Sequence, residues 1–162
     1  MIGFRKLERS DLPLMHRWLN TPHVAEWWPD EALALDEIVA KYAPRIDGLE
    51  DVRCFVITHG EIPIGYIQQY PVDERSAGID LFIGEVEFHR RGLGASIIRK
   101  FLGDVVFADD AIERCVIDPT VSNRGAIRAY EKAGFRYFET AAGAPEPLHM
   151  MRILRAEFER SG

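Results

Sequence analysis

The 162 residues carry 20 Lys and Arg against 26 Asp and Glu, a net charge of −6. That balance argues against a nucleic-acid-binding face and leaves ordinary solubility or an attraction for cationic small molecules. With 47% hydrophobic and 28% charged residues the chain reads as a soluble domain able to bury a core. No apolar run approaches the ~20 residues of a membrane span. The opening "MIGFRKLERSD" has no signal-peptide core, so a cytoplasmic location is the default expectation.

In chain order, "IGFRKL" alternates and predicts a strand. Ser10 is the predicted cap of a helix whose apolar face is Leu12, Met15, Trp18 and Leu19, with Pro13 early enough to be tolerated. "NTP" stops it, and "HVAEWWP" follows. Asp30 and Glu31 open a second helix, with Leu35, Ile38, Val39 and Tyr42 on one face and Pro44 and Gly48 at its end. "RCFVITHG" and "IPIGYIQQYPV" predict strands joined at His59-Gly60, and "AGIDLFIGEV" a further one. "GLGASIIRKFLGDVVF" has a broad apolar face and predicts a helix, and "IERCVID" a strand. "SNRGAIRAYEKAG" is a helix ending at Gly134. "FRYFET" and "PLHMMRILRAEF" are the last strands. The order is β α α β β β α β α β β, one mixed α/β domain over residues 1–162. Cys54 and Cys115 lie in apolar strands and read as buried free thiols, and neither has metal-ligand spacing. No metal is expected.

Two stretches carry chemistry. "HRRGLG" stands between a strand and an apolar helix. Glycines there let the free N–H groups of a helix start approach a phosphate, and Arg90 and Arg91 add charge; an ordinary strand-to-helix turn is the alternative. It is neither the dinucleotide fingerprint nor a P-loop. "NRGAIRAYEKAGF" adds an Asn at a helix start, a Tyr further along and a Gly-Phe exit.

Together these resemble the GNAT N-acetyltransferase family, whose acetyl-CoA loop has the form Arg/Gln-x-x-Gly-x-Gly/Ala. Its later helix often reads N-x-x-A-x-x-x-Y-x-K-x-G-F. Asn123, Ala126, Tyr130, Lys132, Gly134 and Phe135 fill that pattern; His89 stands at the loop's usual Arg/Gln position. The resemblance spans essentially the whole chain. It implies a mixed, mostly antiparallel sheet of about seven strands with about four helices, splayed between the fourth and fifth strands. By the same resemblance, CoA pyrophosphate would lie on the N–H groups of Arg91, Gly92, Leu93, Gly94 and Ala95. The pantetheine arm would run beside Leu81, Phe82 and Ile83 as a short extra strand, with Asn123 bonding it. Tyr130, protonated at neutral pH as an ordinary phenol, would protonate the leaving thiolate; a packed helix tyrosine is the alternative.

"WLNTPHVAEWW", "GYIQQY", "GIDLFIG" and "DPTVSNRGAIRAYEKAGF" are similar to segments of aminoglycoside 6′-N-acetyltransferases. Departures are Gly125 in place of a commonly larger residue and a short "PVDERSAG" insertion after Tyr70. The implied substrate is a polycationic amine. Trp27, Trp28 and Tyr42 offer flat apolar faces, and Gln68, Tyr70, Asp80 and Asp118 polar contacts. Asp80 would hold or deprotonate the reacting amine, directly if burial raises its pKa. Core packing for the two tryptophans, a solvent-facing position for Asp80 and a simple turn at Asp118 are the alternatives. Siderophore-type lysine or hydroxylysine N-acyltransferases, which typically place a His where this chain has Asp80, are a second reading. Peptide or ribosomal-protein N-acetyltransferases are a third, and a non-catalytic acyl-CoA sensor a fourth. The expected partner is a cationic small-molecule amine, with no nucleic acid and no membrane, acted on by a monomer or homodimer.

Overall fold

The computed structural model describes residues 1–28, 34–89 and 91–162. All seven predicted strands form: β1 (Ile2–Lys6), β2 (Arg53–His59), β3 (Ile62–Asp73), β4 (Ser76–Ile83), β5 (Arg114–Ile117), β6 (Arg136–Ala141) and β7 (Leu148–Leu154). Their order in the sheet is β1-β2-β3-β4-β5-β7-β6. The four expected helices appear as α1 (Leu12–Leu19), α3 (Leu35–Ile46), α5 (Gly94–Phe101) and α6 (Arg124–Ala133). Three short ones add to them: α2 (Pro22–Ala25), α4 (Val86–His89) and α7 (Arg155–Ser161). Among the described residues no helix is long and apolar enough to cross a membrane.

The chain forms two compact units, Met1–Tyr70 with Asp80–Arg91, and Pro71–Ile79 with Gly92–Gly162. In the first, β1, β2 and β3 pair antiparallel, with Cys54 opposite Gln68 and Val56 opposite Tyr66. Directly opposed residues share a face, so these four side chains line one side of the sheet. Met15, Trp18, Ile38 and Tyr42 of α1 and α3 pack there, fully buried. Trp18 leaves no room for a side chain at residue 84: a Cβ on Gly84 would come within 2.3 Å of the indole.

Three local expectations change in this unit and one falls outside the described residues. Ser10 does not cap α1. It lies inside the 3₁₀ turn Arg9–Asp11 that precedes α1, where Asp11 accepts from Glu8 N at 2.9 Å and from both terminal nitrogens of Arg5 at 2.8 and 2.9 Å. The predicted opening of the second helix at Asp30 and Glu31 lies outside the described residues. Pro44 does not end α3, which runs on to Ile46 and closes with Leu49 N donating to Pro44 O at 2.9 Å. The fourth predicted strand, β4, stops at Ile83, where Gly84 N and Glu85 N both donate to Ile64 O, at 2.7 and 3.1 Å, and turn the chain into α4.

In the second unit β4 runs parallel to β5 only from Ser76↔Arg114 to Gly78↔Val116. Beyond Gly78 the pairing ceases, which is the splay expected between the fourth and fifth strands. β7 pairs antiparallel with β5 and β6. Ile97, Ile98 and Phe101 of α5 are buried, as are Leu102 and Val106 of the π turn Leu102–Val106 that prolongs it. The final segment is not strand to Phe158: a helix starts at Arg155, with Glu157 accepting from Leu154 N at 3.0 Å.

Candidate functional site

The first unit assembles Asp80 into a polar chain that begins on α3. Arg45, in the last turn of that helix, donates from Nη1 to Gln68 Oε1 at 3.0 Å. Tyr66 donates its hydroxyl to the same oxygen at 2.6 Å. Gln68 Nε2 then donates to Asp80 Oδ2 at 2.9 Å. Cys54 Sγ lies 3.1 Å from the Tyr66 oxygen. Tyr66 and Gln68 are buried, and Asp80 is half-buried at the rim of the core. Burial pushes the Asp80 carboxyl above the ordinary carboxylate range, against the opposing effects of the Gln68 N–H and the Arg45 charge. A carboxylate so raised is a better proton acceptor near neutral pH than a solvated one. Asp80 is therefore not a solvent-facing strand residue.

Aromatic side chains floor this network. Trp28, half-buried, meets Phe82 and Tyr66 edge-on, with centroids 5.1 and 6.0 Å apart. Trp27 is 41% exposed. The two adjacent indoles thus divide the roles that the sequence left open: Trp28 packs and Trp27 presents a face. Tyr42 does not offer the face expected of it. It is fully buried, with one edge against Tyr66 and the Arg45 guanidinium 5.5 Å above its ring. Tyr70 is half-buried on β3.

Of the three residues expected beside the pantetheine arm, Leu81 is half-buried and Phe82 and Ile83 are buried. The Phe82 ring belongs to the core, 6.0 Å from Trp18 and 5.6 Å from Tyr66, so only its backbone is available for strand-like pairing. A Cβ at Gly65 would meet Phe82 O at 2.3 Å, so glycine is what lets β3 pass this close. Ile83 O lies 2.8 Å from His23 Nε2 and accepts its proton. The His23 ring also stands 4.7 Å from that of exposed His89. Arg91 lays its guanidinium 4.5 Å from the centre of Phe88. Arg90 lies outside the described residues.

The second unit holds the glycine loop. Gly92 has φ of +68°, the left-handed backbone that favours glycine. Gly94 serves differently: a Cβ there would stand 3.3 Å from the Cβ of Ala129, so it lets α5 lie close on α6. No side chain caps α5 at Leu93, and its first intrahelical donor is Ile97 N, to Leu93 O. The N–H groups of Gly94, Ala95 and Ser96 therefore precede the helix's own bonding pattern. An uncapped helix start behind a left-handed glycine fits a phosphate. Asn123 caps α6, its Oδ1 accepting from Ala126 N at 3.3 Å, which leaves the amide NH2 as its donor side. Tyr130 is half-buried on α6, 6.4 Å from the Phe135 ring. Asp118 is half-buried directly after β5. Among the described residues no group of three His, Cys, Asp or Glu could hold a metal ion. Both cysteines are free and buried.

Sequence reasoning missed Arg45, Tyr66 and Cys54. Only the Cys54–Gln68 pairing of β2 and β3 had a local signal, the alternation around their shared turn. Arg45 had none.

Residues 8–142 match the family model described as an acetyltransferase (GNAT) domain. An aminoglycoside N(6′)-acetyltransferase type 1 of Klebsiella pneumoniae is 30% identical over 99% of this chain and 86% of its own length. The crystal structure of aminoglycoside acetyltransferase AAC(6′)-Ib with coenzyme A superposes with a TM-score of 0.90 at 30% identity, covering 99% of both chains. Its complex with coenzyme A and kanamycin gives a TM-score of 0.89 at 30% identity and the same coverage.

Proposed function

The chain belongs to the acetyltransferase (GNAT) family, and from that premise we propose that it transfers the acetyl group of acetyl-CoA to the 6′-amine of an aminoglycoside by direct attack in a ternary complex. The observation that carries the reading is the half-buried Asp80 carboxylate, oriented by Gln68, which also accepts from Tyr66, whose ring meets Trp28 and Phe82. A cationic amine gains both a counter-charge and a flat apolar surface there.

Acetyl-CoA, as a thioester, supplies an acyl carbon open to a neutral amine. The loop Arg91–Ala95 would hold its diphosphate, the backbone of Leu81, Phe82 and Ile83 its arm, and the Asn123 amide a carbonyl of that arm. Asp80 anchors the ammonium form of the substrate and takes its proton. The freed nitrogen lone pair makes the C–N bond as the C–S bond breaks, the C–S electron pair leaves on sulfur, and the second N–H proton of the new N-acetylammonium passes to water to leave the neutral amide. Tyr130 gives its hydroxyl proton to that sulfur and regains one from solvent. Trp27, Trp28, Gln68, Tyr70 and Asp118 would line the amine side. We read the enzyme as cytoplasmic and acting as a monomer or homodimer.

Release of CoA thiol is the test, with kanamycin, lysine, N6-hydroxylysine and a basic peptide as acceptors. Turnover with kanamycin far above the others is expected. Brisk acylation of a lysine substrate with none of kanamycin overturns the proposal.

A further inference from the structure

We infer that Arg45 is a positioning residue that locks the Gln68 amide in the one orientation presenting an N–H to Asp80. The inference rests on the reading of Asp80 as the group that meets the amine.

A glutamine side chain can turn over, exchanging its oxygen for its NH2. Gln68 Oε1 faces Arg45 Nη1 at 3.0 Å and the Tyr66 hydroxyl at 2.6 Å, and Nε2 faces Asp80 at 2.9 Å. Of the two groups on the oxygen side, only Arg45 is a one-way partner: a guanidinium donates and cannot accept. A tyrosine hydroxyl does both. With Arg45 absent, the hydroxyl of Tyr66 can turn its proton to Cys54 Sγ, 3.1 Å away, and accept from a reversed Gln68. The reversed amide then points its oxygen at Asp80. Two oxygens in contact need a proton between them, so this second arrangement is stable only with Asp80 protonated. Without Arg45 the network gains a state that favours the uncharged acid and removes Asp80 as acceptor.

Arg45 is itself held. Its Nε lies 3.3 Å from Glu50 Oε1 and its guanidinium sits over the Tyr42 ring, with 18% of the side chain exposed. Among the described residues, the titratable groups that meet Arg45, its Tyr42 ring or the Tyr66 hydroxyl are Lys41 and Tyr42 of α3, Glu50 beyond it, Cys54 of β2 and Tyr66 of β3, while Asp36, Glu37, Arg53, His59, Tyr70 and Asp73 lie elsewhere on the same elements. Burial holds both the Tyr66 and Cys54 protons on at working pH, pushing the phenol and the thiol up from their ordinary values. Arg45 is therefore the cation directly on the Gln68–Asp80 chain.

The test is the acid limb of kcat/KM for kanamycin in the full-length enzyme. In Arg45→Met and Arg45→Gln it moves up by about 1 pH unit, and Arg45→Lys, a donor that cannot accept, brings it back toward the wild type. Glutamine keeps the length and polarity at residue 45, so a folding failure of the methionine variant leaves the test intact. The side-chain amide resonances of Gln68 give a readout independent of turnover: one set in the wild type, and a second population growing as pH falls in Arg45→Gln. An acid limb unmoved in both variants overturns the inference, even if kcat drops, and so does a single Gln68 amide population at all pH. Asp80→Asn separates the two layers. If it keeps wild-type activity and profile, the reading of Asp80 fails. If it is inactive while the Arg45 variants keep the wild-type limb, Arg45 alone is wrong.

Discussion

Gln68 Nε2 donates to Asp80 Oδ2 at 2.9 Å, joining the β3 residue that carries the buried amide to the β4 residue that carries the carboxylate. One carboxylate oxygen is thus committed to the protein. The Asp80 side chain is aimed rather than merely placed.

Replacing that carboxylate separates chemistry from cofactor binding. Asp80→Asn should lower kcat about 10²–10⁴-fold, the range for loss of a positioned acid–base group, with KM for acetyl-CoA within about twofold. Steady-state kinetics with both substrates varied provides the check. The same variant should be more stable than the wild type at pH 8. Because burial raises the folded-state pKa of Asp80, the unfolded chain gives up its proton first as pH rises from about 4. Wild-type stability therefore falls with rising pH through that window and levels off above the raised pKa. The difference in Tm between Asp80→Asn and wild type should be positive at pH 8 and vanish below about pH 4.

Tyr130→Phe keeps the ring beside Phe135 and deletes only the hydroxyl. Loss of a proton donor acting in the transition state should lower kcat about 10–100-fold while changing either KM less. A rise in KM with kcat intact would instead assign Tyr130 to binding.

Gly92→Ala places a side chain on a backbone with φ of +68°. The left-handed conformation costs a non-glycine residue about 1 kcal/mol, with nothing within 4 Å to clash. Thermal unfolding should show that modest loss. KM for acetyl-CoA should rise several-fold as the loop relaxes, with KM for the amine unchanged; a loop irrelevant to the cosubstrate would leave both constants alone.

The adjacent tryptophans should behave oppositely. Trp28 packs on Tyr66 and Phe82, so Trp28→Ala should cost about 2 kcal/mol in chemical denaturation. Trp27 is 41% exposed, so Trp27→Ala should leave stability within about 0.5 kcal/mol. It should raise KM for kanamycin about tenfold, the worth of one cation–aromatic contact. Equal effects on stability at the two positions would remove the distinction.

What the chain order and local pattern determined was considerable. Seven strands followed from period-two alternation, and four helices from period-3.6 faces, because each signal lies within a few residues. The loop at Gly92 and the cap at Asn123 were legible for the same reason: both are demands of the local backbone. Tertiary structure decided what depended on distant partners. Arg5 reaches Asp11 in the turn that precedes α1, and Tyr42 is buried against Tyr66 rather than presenting a face. Arg45 and Gln68, 23 residues apart, meet only because α3 packs on the face of the sheet that β2 and β3 share. A hydrogen-bond orientation is a property of neighbours in space, so no periodicity could have revealed that the environment of Asp80 begins on a helix.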